Sequence, residues 1–194
     1  MLIAHNMGST ITIFASCAEA VRGLEASGYR PADTMTVLLS NDSAKSVFTG
    51  QVTINEKPAP DIWTRAYLEA FYGDQELAPH VTSIVARLLK LKAATLLEAR
   101  VGDDAAGVLA ILRTAGLAGV YCVGTIPEHR RKGVAATLLS RARAIAGAEG
   151  RRLFVQSLAS DGTSHYYLER GFRVLYSKQL MSKESSYANK KKRV

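Results

Sequence analysis

The pattern of apolar and polar positions in the middle of the chain predicts three successive strands. Two apolar runs, Ala93–Val101 and Gly107–Thr114, are separated by the sequence GDD, which is typical of a hairpin turn. A third run covers Gly119–Ile126 and ends at Pro127, which cannot donate a ladder hydrogen bond. The pattern therefore predicts an antiparallel hairpin followed by a buried strand.

At Gly133 the period of the pattern changes to that of a helix. Val134, Leu138 and Ile145 recur at helical spacing up to Ala148. Farther along, the pattern predicts a strand over 151–159, a short helix over 160–170 and a final strand over 172–181. Before the hairpin it predicts a strand over 46–54 and helices over 61–73 and 78–92.

Near the N-terminus, residues 13–40 resemble residues 155–182. Each segment runs from a strand through Ala-Ser, a helix with Leu-Glu and a glycine–aromatic pair into a second strand. An internal repeat changes the fold prediction, and chance similarity of two strand–helix–strand units is the alternative explanation. The hypothesis is that residues 9–40 are a partial copy of the C-terminal half, and it requires Ile11–Phe14 and Thr34–Leu39 to lie in a sheet.

Length and composition narrow the class of protein. The 194 residues are 47% hydrophobic and 22% charged, which is typical of one main globular domain. No apolar run reaches the roughly 18 residues of a membrane span, and the first residues lack a secretory-signal pattern. We therefore expect no membrane association and a cytoplasmic location.

The positive charge of the chain is concentrated at one end. The formal net charge is +8, and residues 178–194, with six Lys or Arg against one Glu, supply +5 of it. A basic tail with no aromatic pattern argues against nucleic-acid binding, and we expect residues 182–194 to be flexible. No set of His, Cys, Asp and Glu has metal-ligand spacing, so no metal is predicted.

The sequence PEHRRKGVAATLL, residues 127–139, is the strongest candidate for chemistry. A helix amino end carries unpaired N–H groups and a partial positive charge, so a strand that enters a helix through a basic, glycine-containing turn predicts a phosphate site. Gly133 permits close approach of the backbone, and Arg130, Arg131 and Lys132 add charge. Neither GxGxxG nor GxxxxGK[ST] occurs, which argues against nucleotide sites of those two classes.

This stretch resembles the acyl-CoA pyrophosphate motif of the GNAT N-acetyltransferases, [RQ]-x-x-G-x-[GA], with Arg130, Gly133 and Ala135 at its positions. The sequence YYLERGF follows at residues 166–172, in the order and spacing of that family. The resemblance covers about residues 50–181. It implies an α/β (α+β) fold, the GNAT acyl-CoA N-acyltransferase fold, with a central mixed, mostly antiparallel sheet flanked by helices and an N-terminal β-α-β extension.

The domain organisation that follows has three parts: a β-α-β extension at 1–45, which is the candidate partial repeat, the acetyltransferase domain at 46–181 and the basic tail at 182–194. The resemblance implies direct transfer of an acetyl group from acetyl-CoA to a primary amine of a small molecule or peptide in a ternary complex. A catalytically inactive CoA-binding or interaction module that uses the basic tail is the alternative. Paired sheets would also allow a homodimer.

The resemblance also assigns roles to individual residues. Tyr167 is the candidate acid for the departing thiolate, since a phenol carries a dissociable proton. The pantetheine arm and the acetyl carbonyl would bind to backbone groups, and the pyrophosphate to the basic loop and the helix amino end. The acyl-CoA-binding residues are Cys122, Val123, Thr125, Arg130, Arg131, Lys132, Gly133, Val134, Ala135 and Ala136.

The sequence offers more than one candidate for the general base. Some family members place a Glu early on the strand before the phosphate loop, but Gly119 occupies that position here and no acid occurs from Leu117 to Pro127. Glu98, Glu128, Tyr121 and ordered water are the alternatives. Four aromatic residues on the first predicted helix can be either core or pocket wall: Trp63, Tyr67, Phe71 and Tyr72.

Overall fold

The computed structural model describes residues 10–14, 18–41 and 51–183, and the chain divides into two compact units. The first unit comprises residues 1–41 and 156–194, and the second comprises residues 42–155. The predicted mixed α/β fold is confirmed. In chain order the elements are β1 (Thr10–Phe14), α1 (Ala18–Ala26), β2 (Arg30–Ser40), β3 (Val52–Asn55), α2 (Pro60–Phe71), α3 (Ala78–Leu88), β4 (Ala94–Val101), β5 (Asp104–Thr114), β6 (Leu117–Thr125), α4 (Val134–Ala148), β7 (Arg152–Leu158), α5 (Ser164–Leu168) and β8 (Phe172–Ser182).

The second unit is built on an antiparallel meander that ends in one parallel pair. β3 pairs with β4, β4 with β5 and β5 with β6, all antiparallel, and β6 pairs in parallel with β7 from Leu117↔Arg152 to Val120↔Val155. The predicted hairpin is present, since Val101 pairs with Asp104 at the β4–β5 turn. A parallel pair needs a crossover connection, and α4 supplies it.

Helices cover both faces of this part of the sheet. α2 and α3 cover one face, where Trp63, Ala66 and Val85 are buried together with Leu96, Val108 and Ala110 of the strands. A side chain at Gly107 would instead meet Val134 and Leu138 of α4. Because successive residues of a strand point to opposite faces, α4 lies on the face opposite to α2.

The first unit contains the ladder β1–β8–β2, in which β8 pairs antiparallel with both neighbours. The strands that the repeat hypothesis requires near residues 11–14 and 34–39 are present, as β1 and β2. Val37, Leu38 and Leu39 of β2 are buried, as are Phe172 and Met181 of β8. The division into residues 1–45, 46–181 and 182–194 stays a prediction, and residues 184–194 lie outside the described part.

Several element boundaries differ from the sequence-based ones. β5 begins at Asp104 rather than at Gly107, because its pairing with β4 continues to the turn. The helix predicted over 160–170 is a 3₁₀ turn at Ala159–Asp161 followed by the five-residue α5, since Gly162, with φ 64°, interrupts it. The strand predicted over 46–54 is observed only as β3, and residues 46–50 lie outside the described residues.

Candidate functional site

β6 is kinked at Cys122, in the middle of the strand that leads to the basic loop. Val108 pairs with Gly124 and Ala110 with Tyr121, so Cys122 and Val123 together oppose the single residue Leu109. Cys122 has φ 54°, a left-handed conformation that is rare for a residue with a side chain. Such a bulge turns backbone groups out of the ladder, and residues 121–125 of β6 also extend past the four β6–β7 pairs.

The basic loop connects the end of β6 to α4 through three short steps. The Ile126 amide donates to the Ala106 carbonyl, 3.0 Å away, and Pro127–His129 form a 3₁₀ turn. Arg131 has φ 64° and Gly133 has φ 83°, so two left-handed residues shape the end of the loop. The side chains of Arg130, Arg131 and Lys132 are exposed to solvent, and the loop presents three cations around its backbone amides.

The amino end of α4 has no side-chain cap. Gly133 occupies the N-cap position and forms no side-chain capping hydrogen bond, while its carbonyl accepts from the Thr137 amide and hydroxyl at 2.9 Å and 3.1 Å. Ala135 and Ala136 are small and half-buried. The first N–H groups of an uncapped helix are available to an anion, and the helix dipole favours negative charge there.

A histidine of the loop has an unsatisfied buried atom. The Nδ1 atom of His129 is buried and has no hydrogen-bond partner among the described residues. His129 is half-buried overall and closes the 3₁₀ turn, where its amide donates to the Ile126 carbonyl at 2.9 Å. Buried polar atoms in proteins are usually paired with protein, water or ligand.

Aromatic side chains at the C-terminal end of α2 lie against the kinked strand. A Cβ atom added at Gly124 would be 2.5 Å from Cε2 of Phe71 and 2.9 Å from Cβ of Ala70, so only glycine fits there. Tyr67 is half-buried. Burial is the main cause that raises its pKa, and the Tyr72 hydroxyl and the nearby Cys122 thiol raise it further. Burial also raises the pKa of Cys122, so both groups are neutral at pH 7.

Tyr167 lies in the first unit, on α5. Its side chain is 7% exposed, and its ring makes edge-on contacts with Tyr166 at 5.5 Å and Phe172 at 5.6 Å. Burial is the main cause that raises the pKa of Tyr167 to about 12. The phenol is therefore protonated at neutral pH and can donate a hydrogen bond.

The three protein candidates for the general base have different surroundings. Glu98 is 1% exposed, and its two carboxylate oxygens accept from Asn55 Nδ2 at 3.0 Å and from Arg100 Nη1 at 3.1 Å, the arrangement of a buried structural ion pair. Glu128 is exposed on the loop. Tyr121 is half-buried, which raises its pKa, and its ring contacts Phe154 edge-on.

The four aromatic residues of α2 and its C-cap position, Tyr72, divide between core and surface. Trp63 is 3% exposed and donates from Nε1 to the Leu97 carbonyl at 3.0 Å, so it belongs to the core. Phe71 and Tyr72 are 46% and 40% exposed. The sequence pattern could not separate these roles, because helical spacing places all of them close to one face.

The sheet, the kinked strand and the basic loop define an α/β protein in which an uncapped helix amino end follows a cationic loop. In the part of the chain that the structure describes, no helix is long and apolar enough to cross a bilayer. Among the same residues, no group of three or more His, Cys, Asp or Glu side chains could hold a metal ion.

The model of the acetyltransferase (GNAT) family matches residues 53–172, and the chain belongs to this family. The match includes β6, the basic loop, α4 and Tyr167, and it confirms the resemblance carried by Arg130, Gly133 and the YYLERGF sequence. No curated protein matches the chain.

Solved structures share the fold at low sequence identity. A GCN5-related N-acetyltransferase from Sphaerobacter thermophilus superposes with a TM-score of 0.75 at 22% identity, over 91% of this chain and 60% of that one. A GCN5-related N-acetyltransferase from Kribbella flavida has a TM-score of 0.69 at 14% identity, over 93% and 70%. A GNAT-family acetyltransferase from Colwellia psychrerythraea has a TM-score of 0.68 at 10% identity, over 92% and 65%. The chain thus spans less than two thirds of the Sphaerobacter and Colwellia structures.

Proposed function

We propose that the chain is an N-acetyltransferase that moves an acetyl group from acetyl-CoA to a primary amine of a small molecule or peptide, by direct transfer in a ternary complex. Membership of the GNAT family supports acyl-CoA-dependent acetyl transfer in general. The observation that carries the proposal is the basic loop, whose two left-handed residues, Arg131 and Gly133, lead into an uncapped helix.

The loop suits a diphosphate in both geometry and charge. The amides from Arg131 to Ala136 would bind the pyrophosphate of CoA, with the side chains of Arg130 and Lys132 adding positive charge. The unpaired Nδ1 of His129 lies in the same loop. Before the loop, the bulge takes Cys122 and Val123 out of the regular β5–β6 ladder, whereas Thr125 pairs with Gly107. Backbone groups of Cys122, Val123 and Thr125 would bind the extended pantetheine arm and the acetyl carbonyl.

The reaction needs a neutral amine and a leaving group that can accept a proton. The amine nitrogen forms a bond to the carbonyl carbon, the carbon–sulfur bond breaks, and the proton lost from nitrogen ends on the CoA sulfur. We assign the hydrogen bond to the leaving sulfur to Tyr167. With a pKa of about 12, this phenol keeps its proton and stabilises the developing thiolate by hydrogen bonding.

Substitution of Gly133 by Ala tests the site. The left-handed φ of 83° strains any residue with a side chain, so the loop must move and the first amides of α4 are displaced. We expect at least about tenfold weaker acetyl-CoA binding by isothermal titration calorimetry, which is about 1.4 kcal/mol. Gly147→Ala is the matched control, because it lies in the same helix and nothing lies within 4 Å of its added Cβ.

Equal binding by Gly133→Ala and Gly147→Ala would contradict the site. A turnover screen of acetyl-CoA with polyamines, amino acids, aminoglycosides and peptide N-termini then tests the reaction itself. Acetyl-CoA binding without turnover of any amine would favour the inactive CoA-binding or interaction module.

A further inference from the structure

Three aromatic side chains at the C-terminal end of α2, Tyr67, Phe71 and Tyr72, form what we call the aromatic patch. We propose that the aromatic patch selects acceptor amines that carry an aromatic ring. This inference rests on the proposed N-acetyltransferase function and names the class of its acceptor.

The exposure of the patch is unusual for side chains of this size. Phe71 is 46% exposed and Tyr72 is 40% exposed, although their ring centroids are only 6.4 Å apart. Two large aromatic residues on a short helix would normally turn into the core. Neighbouring aromatic rings that remain exposed give a ligand ring an apolar surface to contact.

The patch adjoins the strand that the proposed function assigns to the pantetheine arm. Phe71 lies directly over Gly124, where an added Cβ would come within 2.5 Å of its ring. Tyr67 lies near the thiol of Cys122, at the kink itself. A flat group held on the patch is therefore next to residues 122–124 of β6.

The patch is also rigid on its buried side. The Tyr67 ring stacks on Trp63 with centroids 5.4 Å apart and an interplanar angle of 10°, and Trp63 is held by its hydrogen bond to Leu97. The Tyr67 and Tyr72 hydroxyls are 3.4 Å apart, and the Tyr67 and Phe71 rings are 5.1 Å apart. Little side-chain conformational entropy is lost when a ligand ring binds to side chains that are already ordered.

The aromatic patch distinguishes ligands by the shape of their ring and by the presence of a π-system. Aromatic faces bind other rings by offset stacking or edge-on contact, and they also attract an ammonium group. A saturated ring of the same size is puckered and has no π-system, so it loses these contacts while keeping its apolar area. An aromatic amine should therefore be preferred over its saturated analogue.

The test compares 2-phenylethylamine with 2-cyclohexylethylamine as acceptors, in assays of CoA release. We expect kcat/KM to be about fivefold to tenfold higher for 2-phenylethylamine. Phe71→Leu, which keeps an apolar side chain without the ring, should remove most of this preference. The matched control is Leu77→Ala, which removes a 39% exposed apolar side chain after α2 and should retain the preference.

The outcomes separate the acceptor class from the reaction. Turnover of both amines with no preference, or a preference retained by Phe71→Leu, overturns the acceptor class and leaves the acetyltransferase proposal standing. If no amine is turned over, the proposed function fails and saturation-transfer NMR with 2-phenylethylamine decides on the patch. Binding lost in Phe71→Leu supports the patch, and absence of binding to the wild-type chain overturns it.

The register of β2 and β8 carries a second, independent inference. We infer that β1, α1 and β2 are a structural copy of β7, α5 and β8, and that the copy contributes a strand to the first unit without repeating Tyr167. The relation concerns the β-α-β segment at the N-terminus and does not depend on the proposed activity.

The pairing between β2 and β8 has a local two-fold symmetry. Met35 follows Gly28 by seven residues, Lys178 follows Gly171 by seven residues, and Met35 pairs with Lys178. Gly28 and Gly171 are taken as equivalent positions. Exchanging the two strands then converts each pair from Arg30↔Ser182 to Leu39↔Arg173 into another pair of the same ladder, and Met35↔Lys178 into itself. Any regular antiparallel ladder has such local two-fold axes, so the position of the irregularities decides whether the two strands are related.

The irregularities of the two strands obey the same symmetry. Ala32 is the extra residue of β2 between Pro31 and Asp33, and Leu175 is the extra residue of β8 opposite Val37 and Leu38. Ala32 follows Gly28 by four residues, and Leu175 follows Gly171 by four residues. A β-bulge at the same position of both strands is strong support for duplication, because bulges are retained within families.

The N-terminal copy lacks the tyrosine of the C-terminal one. Counted from the glycines, Leu24 occupies the position of Tyr167. The copy therefore has no phenol there, whereas its strand β2 pairs with β8 along the strand's whole length. Supplying β2 satisfies one edge of β8, while β1 pairs with the other edge.

A nicking experiment on the full chain tests this role. A protease site is placed between residues 42 and 50 and cut after folding; the N-terminal fragment should co-elute with the rest through the β2–β8 ladder. Met35→Pro and Lys178→Pro lie at equivalent positions of the β2–β8 ladder, so each should release the fragment at least about tenfold more readily. Lys178→Pro should have the larger effect, because Lys178 also pairs with Phe14 of β1. Glu19→Pro, in the first turn of α1, is the control that should retain it.

Release of the fragment from the nicked wild-type chain would overturn the strand-supplying role. Release by only one of the two proline variants would overturn the two-fold equivalence. For a variant that fails to fold, hydrogen exchange of the uncut wild-type chain replaces the measurement. Amides of β2 and β8 should then open together in urea, and separate opening would contradict the inference.

Discussion

At the scale of single residues, the surroundings of Tyr167 determine what its hydroxyl can do. Its ring packs edge-on against Tyr166 and Phe172, and burial raises its pKa from the ordinary value of 10.0 to about 12. A phenol with this pKa is a weaker acid than the free side chain. It is therefore better suited to donate a hydrogen bond to a thiolate than to release its proton completely.

Tyr167→Phe is expected to change both the pH dependence of stability and the turnover of acetyl-CoA, because both depend on the buried hydroxyl. Below about pH 10 the phenol is protonated in both folded and unfolded chains, so it adds no pH dependence to stability. Between about pH 10 and pH 12 the unfolded chain loses the proton first, so stability falls as the pH rises. Wild type should lose about 1 kcal/mol more unfolding free energy than Tyr167→Phe by about pH 11, measured by urea denaturation.

The same variant should lower acetyl-CoA turnover about 10- to 100-fold with binding retained, because the ring stays and only the hydrogen bond is lost. An identical pH dependence in wild type and Tyr167→Phe would show that burial of the phenol does not affect stability.

At the scale of elements, β4 contains a charged group inside the second unit. Glu98 is 1% exposed and is bound by Asn55 of the neighbouring β3 and by Arg100, two residues along β4. A buried carboxylate is costly to leave without its partner. The hydrogen bond from Asn55 to Glu98 links two adjacent strands at the edge of the meander, and Arg100 supplies the neighbouring cation.

Arg100→Met should destabilise the second unit by about 2 kcal/mol, because Glu98 loses its cation while remaining buried. Equilibrium unfolding in urea measures this change, and Glu98→Leu combined with Arg100→Met should recover most of it. Arg65→Met breaks the exposed pair with Asp61, whose side chains are about 60% exposed, and should cost less than about 0.5 kcal/mol. Equal effects of Arg100→Met and Arg65→Met would refute a structural role for the Glu98 pair.

The elements most accurately predicted from the sequence are those that local pattern determines. α4 and the β4–β5 hairpin follow directly from helical period and turn residues. The kink at Cys122 was not predictable, because a bulge depends on which partner residues the neighbouring strand offers. The short α5 was overestimated because the left-handed Gly162 separates it from the preceding turn.

At the scale of the whole molecule, the family and its fold were accessible from the sequence, whereas the two units were not. The loop from Arg130 to Gly133 and the YYLERGF sequence are local, and the match to residues 53–172 confirms what they indicate. The grouping of residues 1–41 with 156–194 depends on the pairing of β1 and β2 with β8. Strand pairing over such a distance along the chain leaves no periodic signal in either segment.

The β2–β8 ladder also sets an order of events during synthesis. Met35 precedes its partner Lys178 by 143 residues, and at ribosomal rates this interval lasts on the order of ten seconds. Residues 42–155 are all synthesised during this interval. The second unit can therefore fold before β8 is available to pair with Val37, Leu38 and Leu39. The nascent N-terminal strand thus lacks its β8 partner until the last strand of the chain has been synthesised.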